Sequence, residues 1–358
     1  MGKDIQKKWF TATGKSSGSI KKWTRGGQWL QKFCASKSKG LILLYHRIAE
    51  TQSDPWSLCV TPDHFAEHLE ILQQFAHPLS LQELVEACQQ GNIPDCAVVV
   101  TFDDGYADNF YNTVPLLERY GIPATLFLTT GLLDQGREFW WDELEQVFLQ
   151  PGTLPDTLCL QINGRKHRWE LNDAAYYSED DYRANRNRLA WQGEPNSRHF
   201  LYYSIWQLLQ PLPYHDRLNI LDDIVLWAGV ESLVRPAYRP LLPDEVYRLG
   251  KSELIELGAH SVNHPLLGDH SIASQWDEIY QSKLQLEKIL KYPVRSFSYP
   301  HGNFTAETVN LVQEAGFNCA CSTAAEVVCQ HDNIFKLPRC QVQNCNGEVF
   351  AKWWQSRF

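Results

Sequence analysis

The chain has 358 residues, of which 44% are hydrophobic and 21% are charged. This length accommodates one large domain with a substantial core, or two ordinary domains. The formal net charge is −9, but residues 1–40 carry +9 and the remaining residues carry −18. Binding to duplex nucleic acid depends on clustered Lys and Arg, so we expect no nucleic-acid partner for the acidic body.

The first 39 residues hold ten Lys or Arg and a single acid, which predicts a basic, partly disordered N-terminal arm. A solvated tail is the favoured interpretation, and contact with an anionic membrane surface or with an acidic partner is the alternative. The sequence shows neither the apolar segment of a secretory signal nor an apolar run of membrane-spanning length. We therefore expect a cytoplasmic protein, with the inner membrane face as the place for such contact.

Apolar runs of strand length alternate with amphipathic segments from residue 41 onwards. The run at 97–102 is β-branched and apolar on both faces, which is typical of a strand buried in a parallel sheet. A helix at 109–120 and another buried strand at 124–128 follow after short connections, as in a β-α-β unit. The other elements predicted in this half are a strand at 41–45, a helix starting at 62 and a helix at 81–89.

This alternation stops between about 135 and 240, where aromatic residues and arginine are frequent. We predict a mainly helical insertion there. It contains a hairpin of strands 158–162 and 166–171 joined by Asn163-Gly164, and helices at 203–209 and 215–227.

The alternation returns after residue 240. The predicted helices lie at 244–257, 274–290 and 306–315, and the predicted strands at 295–299, 318–321 and 336–342. About seven strand-helix units favour one α/β domain over 40–350, in the form of a closed or nearly closed β/α barrel.

Two acidic residues, Asp103 and Asp104, follow the buried strand at 97–102, and Gly105 permits a sharp exit. Active sites of parallel α/β folds lie at such carboxyl ends. Two adjacent carboxylates also cost electrostatic energy unless a cation relieves it. An ordinary turn with helix-capping acids is the alternative interpretation.

The second motif places His260 and His264 four residues apart, on one helical face or on one helical turn after a strand. Two ordinary surface or core histidines are the alternative. Together with the aspartates, however, the pair gives two His and one Asp, a good ligand set for a catalytic divalent ion. The second aspartate is then free to accept a proton.

Two further segments with candidate site residues lie where predicted strands end. In Phe297-Ser298-Tyr299-Pro300-His301-Gly302, the proline and glycine would fix a loop whose backbone N–H groups face an oxyanion. In Leu43-Leu44-Tyr45-His46, the histidine can reach the mouth of a barrel, although a structural histidine is the alternative.

In this order, Thr-Phe-Asp-Asp-Gly, His-Ser-x-x-His-Pro and Tyr-Pro-x-Gly resemble the polysaccharide deacetylases, the NodB-homology group or carbohydrate esterase family 4. The resemblance covers about 41–133 and 244–345. It implies a distorted (β/α)7 barrel and a divalent metal, zinc first, with cobalt or nickel as alternatives. It also implies hydrolytic removal of N-acetyl groups from a sugar or polysaccharide. The implied roles are general base for Asp103, metal ligands for Asp104, His260 and His264, and an oxyanion or substrate loop at Tyr299, Pro300 and His301.

The sequence departs from the family pattern in two places. Ser298 stands where the family usually has the arginine that orients the base, and Arg339 is the replacement candidate, with Arg295 a weaker one. The usual Leu-x-x-His motif of the general acid is absent from the C-terminus. The segment ending in His46 resembles it at the start, as in a circularly permuted branch similar to poly-N-acetylglucosamine deacetylases, which makes His46 the candidate acid.

The insertion begins with Trp140 and Trp141, which could stack on sugar rings, although core packing is the favoured interpretation. The expected partner is an N-acetylated glycan, and the sequence leaves the oligomeric state open. The alternative functions are hydrolysis of a non-sugar amide on the same site, and carbohydrate binding without catalysis.

Overall fold

The computed structural model describes residues 38–230 and 234–357. The basic arm predicted for residues 1–39 therefore lies almost entirely outside the described residues. Within the part of the chain that the structure describes, no helix is long and apolar enough to cross a membrane.

Strands and helices alternate along most of the described chain. The strands are β1 (Lys39–Tyr45), β2 (Arg47–Ile48), β3 (Cys59–Val60), β4 (His77–Pro78), β5 (Ala97–Phe102), β6 (Ala124–Leu128), β7 (Gly152–Thr153), β8 (Thr157–Ile162), β9 (Arg165–Glu170), β10 (Tyr176–Tyr177), β11 (Ile255–Ala259), β12 (Ser296–Ser298), β13 (Cys319–Cys321), β14 (Val328–Cys329) and β15 (Cys340–Gln341). The α-helices are α1 (Pro62–Phe75), α2 (Leu81–Gln90), α3 (Val114–Tyr120), α4 (Trp140–Phe148), α5 (Glu179–Asn185), α6 (Arg198–Leu209), α7 (Tyr214–Ala228), α8 (Pro243–Leu249), α9 (Ile272–Leu290), α10 (Ala306–Glu314) and α11 (Gly347–Gln355).

Seven parallel strands curl into a barrel in the order β13, β12, β11, β6, β5, β1, β15. A single parallel bridge between Cys321 and Leu337 brings the segment before β15 next to β13. The ring is therefore almost closed, but by one bridge rather than a full ladder. This confirms the predicted distorted β/α barrel, with the first and last strands as neighbours.

The barrel strands are buried because their apolar side chains face helices on one side and the barrel interior on the other. All six residues of β5 are buried, as predicted for a strand of a parallel sheet. Most of the helices begin after a Ser, Thr or Asn side chain that accepts a hydrogen bond from the first turn. For example, Ser80 and Glu83 form a reciprocal capping box at the start of α2, close to the predicted start at 81.

The helix predicted at 244–257 is wrong in its second half. Helix α8 ends at Leu249, and residues 255–259 form strand β11, which pairs with β6 along its whole length. The pattern of buried residues explains why this part is a strand. Ile255 and Leu257 are buried and Glu256 between them is half-buried, which is the two-residue alternation of a β-strand. This short stretch therefore fits a strand better than the continuation of helix α8.

The segment between β6 and β11 has a hydrophobic core of its own, formed by α4, α6 and α7 with the hairpin of β8 and β9. The hairpin forms where it was predicted, and Asn163 and Gly164 both have positive φ, as its tight turn requires. The chain then returns to the barrel beside the first site loop, because Leu241 N–H donates to Gly105 O and Ala107 N–H donates to Arg239 O.

Candidate metal and catalytic site

Asp103 and Asp104 lie where β5 ends, at the carboxyl end of the barrel. The turn is tight: Asp104 has φ of 73° and Gly105 has φ of 84°. A Cβ at Gly105 would lie 2.8 Å from Cδ2 of Leu128. A left-handed aspartate costs conformational energy, and such residues occur disproportionately at functional sites. The turn places the two carboxylates side by side in the barrel mouth.

His260 and His264 follow β11, but they lie in a loop rather than on the helical turn that was predicted. Ser261 and His264 both have positive φ, and the Ser261 hydroxyl accepts a hydrogen bond from His264 N–H at 3.0 Å. Glu278 of α9 secures the same loop by accepting N–H groups of Val262 and Asn263. A tight loop therefore brings together the two imidazoles that the sequence spacing suggested.

Asp104, His260 and His264 form one compact group, with one ligand atom from each lying within 4.8 Å of the others. Asp104 Oδ1 is 3.3 Å from His264 Nε2 and 3.6 Å from His260 Nε2. All three side chains are buried, with relative exposures of 5% or less. In addition, His260 Nδ1 contacts the Ser298 carbonyl at 2.8 Å, which fixes the ring and leaves Nε2 for a ligand bond.

The electrostatics of this group suit a divalent cation. Burial raises the pKa of Asp104 well above its usual value, and the neighbouring Asp103 raises it further. Burial also lowers the pKa of both His260 and His264, so their imidazoles are neutral and can act as ligands. A bound cation would supply the positive charge that the buried Asp104 carboxylate needs.

Arg339, just before β15, holds Asp103. Its guanidinium donates to both carboxylate oxygens of Asp103, at 2.7 and 2.6 Å. Burial alone would raise the pKa of Asp103, but the charge and hydrogen bond of Arg339, together with the charges of His260 and His46, outweigh burial and lower the pKa to about 2. Arg339 also donates to the hydroxyl of Ser298 at 2.7 Å, so the serine leaves room for this contact. The alternative candidate Arg295 is exposed on the outside of the barrel and does not line the cavity described below.

A cavity of about 770 Å³, called here the active-site cavity, opens above these groups. His46, at the end of β1, lines it together with Asp103 and Asp104. The Nδ1 atom of His46 is buried and has no hydrogen-bond partner among the described residues. Desolvation lowers the pKa of His46 to about 4, so the imidazole is neutral at neutral pH in the free protein.

In the loop at Tyr299, Pro300 and His301, only His301 lines the active-site cavity. Its backbone has φ of 56°, and its ring centroid is 4.4 Å from that of His264. The Tyr299 hydroxyl instead donates to the Phe335 carbonyl at 3.0 Å, and Pro300 is buried. The loop therefore reaches the metal group through one residue.

We expect Gly302→Ala to destabilise the fold by about 1–3 kcal/mol, because a Cβ there collides with Thr323. Gly302 also has φ of 65°, a conformation that alanine adopts at a cost. Urea unfolding measures the loss. The matched control is Gly121→Ala, with φ of 63° and open space around its Cβ, which reports the backbone cost alone. Equal losses in the two variants would show that the Thr323 contact is unimportant.

The two tryptophans that open the insertion have different surroundings. Trp141 lines the active-site cavity, its ring lies edge-on to His264, and its Nε1 donates to the Tyr106 hydroxyl at 2.8 Å. Trp140 is not among the residues that line this cavity, and its ring stacks on Trp206 instead. Stacking of a ligand is therefore geometrically open to Trp141 and not to Trp140 at this cavity.

Two aromatic residues of the cavity wall were missed by the sequence reasoning. Trp56 and Trp206 both line the active-site cavity, and their ring centroids are 4.3 Å apart. They come from the loop between β2 and β3 and from the insertion, 150 positions apart in the chain. No local pattern marks such a pair, because only the tertiary fold brings it together.

The fold and the site define a class of protein: a β/α barrel with an Asp-His-His group, and a separately held aspartate, at the carboxyl ends of its strands. The comparisons agree. A family model described as polysaccharide deacetylase matches residues 90–152 and 225–320. Over these two segments, which together make up somewhat less than half of the chain, the protein is similar to the polysaccharide deacetylase family.

Two curated relatives match over part of their length. A Bacillus subtilis protein, YxkH, whose name places it among polysaccharide deacetylases, is 35% identical over 89 residues, 24% of this chain and 30% of that protein. The poly-beta-1,6-N-acetyl-D-glucosamine N-deacetylase of Staphylococcus epidermidis is 31% identical over 114 residues, 28% of this chain and 39% of that protein. The matches thus span well under two thirds of these relatives.

Solved structures share the fold over most of the chain. The Streptococcus pyogenes deacetylase PplD, in complex with acetate, has a TM-score of 0.51 at 18% identity, covering 88% of this chain and 97% of that one. IcaB from Ammonifex degensii has a TM-score of 0.54 at 17% identity, covering 89% and 98%.

Proposed function

We propose that the protein is a metal-dependent hydrolase that removes N-acetyl groups from an N-acetylated sugar polymer. The observation that carries this proposal is the pairing of two groups in one cavity: the buried Asp104, His260 and His264 set, and Asp103 held by Arg339. An acyl-transfer hydrolase that uses no side-chain nucleophile needs both a metal site and a base.

Asp104, His260 and His264 would hold a divalent cation. Zinc is the first expectation for an Asp-His-His set, with cobalt or nickel as alternatives. When bound, the ion supplies Lewis-acid chemistry, polarising an acyl oxygen and making water a stronger nucleophile at neutral pH.

Two residues carry out the proton transfers of the proposed reaction, one as base and one as acid. Asp103, kept ionised and oriented by Arg339, accepts a proton from the attacking water. The water oxygen bonds to the acetyl carbon, and a backbone N–H of the loop at His301 would stabilise the oxyanion. The C–N bond then breaks as His46 gives a proton to the sugar nitrogen, which leaves acetate and a free amine.

His46 must first gain a proton, because desolvation lowers its pKa to about 4 in the free protein. Negative charge that develops on the oxyanion would raise this pKa, since an opposite charge nearby favours the imidazolium. The proton that Asp103 takes from the water is a source for it. His46 therefore acts as the acid only after the attack has begun.

The contact between Arg339 and Asp103 also bears on the alternative of a catalytically inactive binding protein. That alternative rested on Ser298 standing where the family has its arginine. Arg339 supplies a guanidinium to the same carboxylate from another strand, which supports the catalytic proposal. The aromatic wall of Trp56, Trp141 and Trp206 supports a sugar rather than a small apolar amide, because sugar rings stack on such faces.

The substrate that best fits these relatives is a polymer of N-acetylglucosamine, the sugar named for the Staphylococcus epidermidis relative. A cytoplasmic location, peripheral at the inner membrane face, is part of the proposal only through the basic charge of residues 1–39. Co-sedimentation of the full chain with anionic vesicles, compared with a variant lacking residues 1–37, tests that contact. Equal sedimentation of the two would exclude the arm as a membrane anchor.

The experiment that tests the function is acetate release from N-acetylglucosamine oligomers, with zinc or cobalt added and with an EDTA-treated control. We expect metal-dependent release that His264→Ala reduces to background, because this variant removes a metal ligand. His215→Ala, an exposed histidine outside the site, is the control and keeps activity. If the wild-type protein binds metal but releases no acetate, a non-sugar amide is the better substrate. If the wild-type protein binds no metal, a carbohydrate-binding protein without catalysis is favoured.

A further inference from the structure

A second cavity, called here the distal cavity, has a volume of about 580 Å³. It lies beside the active-site cavity, because Gln343 lines both. Consecutive residues of one segment also face the two cavities in turn. Ser57 lines the distal cavity, whereas its neighbours Trp56 and Leu58 line the active-site cavity. The two cavities are therefore neighbouring parts of one surface depression.

The distal cavity forms between the barrel and the insertion. One wall consists of residues of the 49–61 segment and of Gln343 and Asn344 after β15, and the other consists of Arg186, Asn187, Leu189 and Gln192 of the insertion. A hydrogen bond from Ala190 N–H to the Pro55 carbonyl, at 2.8 Å, ties the two walls together. The cleft is thus part of the packed structure rather than a gap between loosely associated units.

Neutral hydrogen-bonding side chains dominate the lining of the distal cavity. Three of its amides are held at one end by the protein: Gln343 by the Ser57 hydroxyl at 2.7 Å, Asn344 by Thr61 N–H at 3.2 Å, and Gln192 by Leu189 N–H at 3.0 Å. The other end of each amide has no hydrogen-bond partner among the described residues. Such oriented amides, free at one end, suit a ligand rich in hydroxyl and amide groups.

The charged groups of the distal cavity do not favour an ionic ligand. The Asp54 carboxylate is already occupied by the N–H groups of Leu58 and Cys59, at 2.8 and 2.9 Å. Glu50 and Arg186 are exposed and of opposite sign. A neutral polar ligand therefore fits this cleft better than a phosphate or a carboxylate.

We propose that the distal cavity is a second sugar-binding subsite, so that the protein acts on oligosaccharides that span both cavities rather than on single acetylated sugars. This inference rests on the deacetylase function proposed above. Trp56 lies at the junction, in ring contact with Trp191 and Trp206, and gives the chain an aromatic surface to cross. Sugars bound in the distal cavity hold the acetylated sugar in place above the metal group.

The test uses N-acetylglucosamine oligomers of increasing length on the metal-loaded full chain. We expect kcat/KM to rise with length up to the span of both cavities. The double variant Gln192→Ala, Asn344→Ala changes one residue in each wall. We expect it to lower the ratio of kcat/KM for the pentamer to kcat/KM for the dimer by about 10- to 100-fold, because each of the two neutral hydrogen bonds that are lost is worth roughly 3- to 10-fold. The matched control is Asn310→Ala, an exposed amide on α10 outside both cavities, which keeps the wild-type ratio.

The outcomes separate this inference from the function on which it rests. Acetate release that is independent of length, or a ratio unchanged in the double variant, overturns the distal subsite and leaves the deacetylase function standing. Without acetate release from any oligomer, calorimetric titration of the pentamer decides. Weaker binding in the double variant than in the wild type keeps the subsite in a non-catalytic protein, and equal binding overturns it.

Discussion

Replacing Asp103 with asparagine is expected to reduce turnover by about 10²- to 10⁴-fold, the usual contribution of a general base, while the metal stays bound. Asparagine has nearly the same size and can still accept one hydrogen bond from Arg339, but its amide cannot take a proton from water. The metal group of Asp104, His260 and His264 is unchanged by the substitution. The measurements are kcat from acetate release and metal content per chain.

Asp104→Asn provides the contrast, because the same chemical change one residue later removes a metal ligand. That variant is expected to lose metal and activity together. Asp277→Asn, an exposed aspartate of α9, is the control for general effects of the substitution and keeps both. Wild-type turnover in Asp103→Asn would mean that another group accepts the proton, and loss of metal there would place Asp103 among the ligands.

A nearly closed β/α barrel could be predicted from the sequence, but the particular pairing that closes it could not. Runs such as Ala97–Phe102 are buried on both faces, so a parallel sheet with covering helices was the natural prediction. The last strand, predicted at 336–342, is only two residues long, and the segment before it is joined to β13 through the single bridge at Leu337. A pairing this short depends on tertiary packing, so the sequence pattern predicted a strand there without showing how little of it pairs.

The candidate site was predictable where the residues lie close in sequence. Asp103 and Asp104 follow one strand, and His260 and His264 lie four residues apart, so a shared cation was an expectation from spacing and chemistry together. The backbone path was not predictable, since the positive φ of Asp104, Ser261 and His264 contradicts local preference and is imposed by the surrounding loops. Local rules fail at this kind of functional turn.

Contacts between distant segments divide into two kinds. Arg339 was a candidate because it lies on the predicted last strand of the barrel, and side chains at the carboxyl ends of barrel strands meet around one mouth. Trp56 and Trp206 had no such guide, because a loop and an insertion have no fixed relation in the fold class. The distal cavity, formed between the same two segments, was unpredictable for the same reason.

Arg339→Lys is expected to lower kcat/KM by about 10- to 150-fold, the value of one hydrogen bond to a charged group. Lysine keeps the positive charge but lacks the planar fork that reaches both oxygens of Asp103 together with the Ser298 hydroxyl. Metal content is expected to stay at the wild-type level, because Arg339 is not a ligand. The control is Arg295→Lys on the barrel exterior, with unchanged kcat/KM.

Arg339→Met separates charge from geometry. Burial raises the pKa of Asp103 and Arg339 opposes it, so removing the guanidinium moves that pKa upward. A base must be deprotonated to act, and the acid side of the pH profile of kcat/KM therefore moves to higher pH in Arg339→Met relative to Arg339→Lys. Unfolding measurements accompany it, because leaving a buried carboxylate unpaired costs about 3–5 kcal/mol. A profile that stays at the wild-type position in a folded Arg339→Met variant would show that Arg339 does not control the ionisation of Asp103.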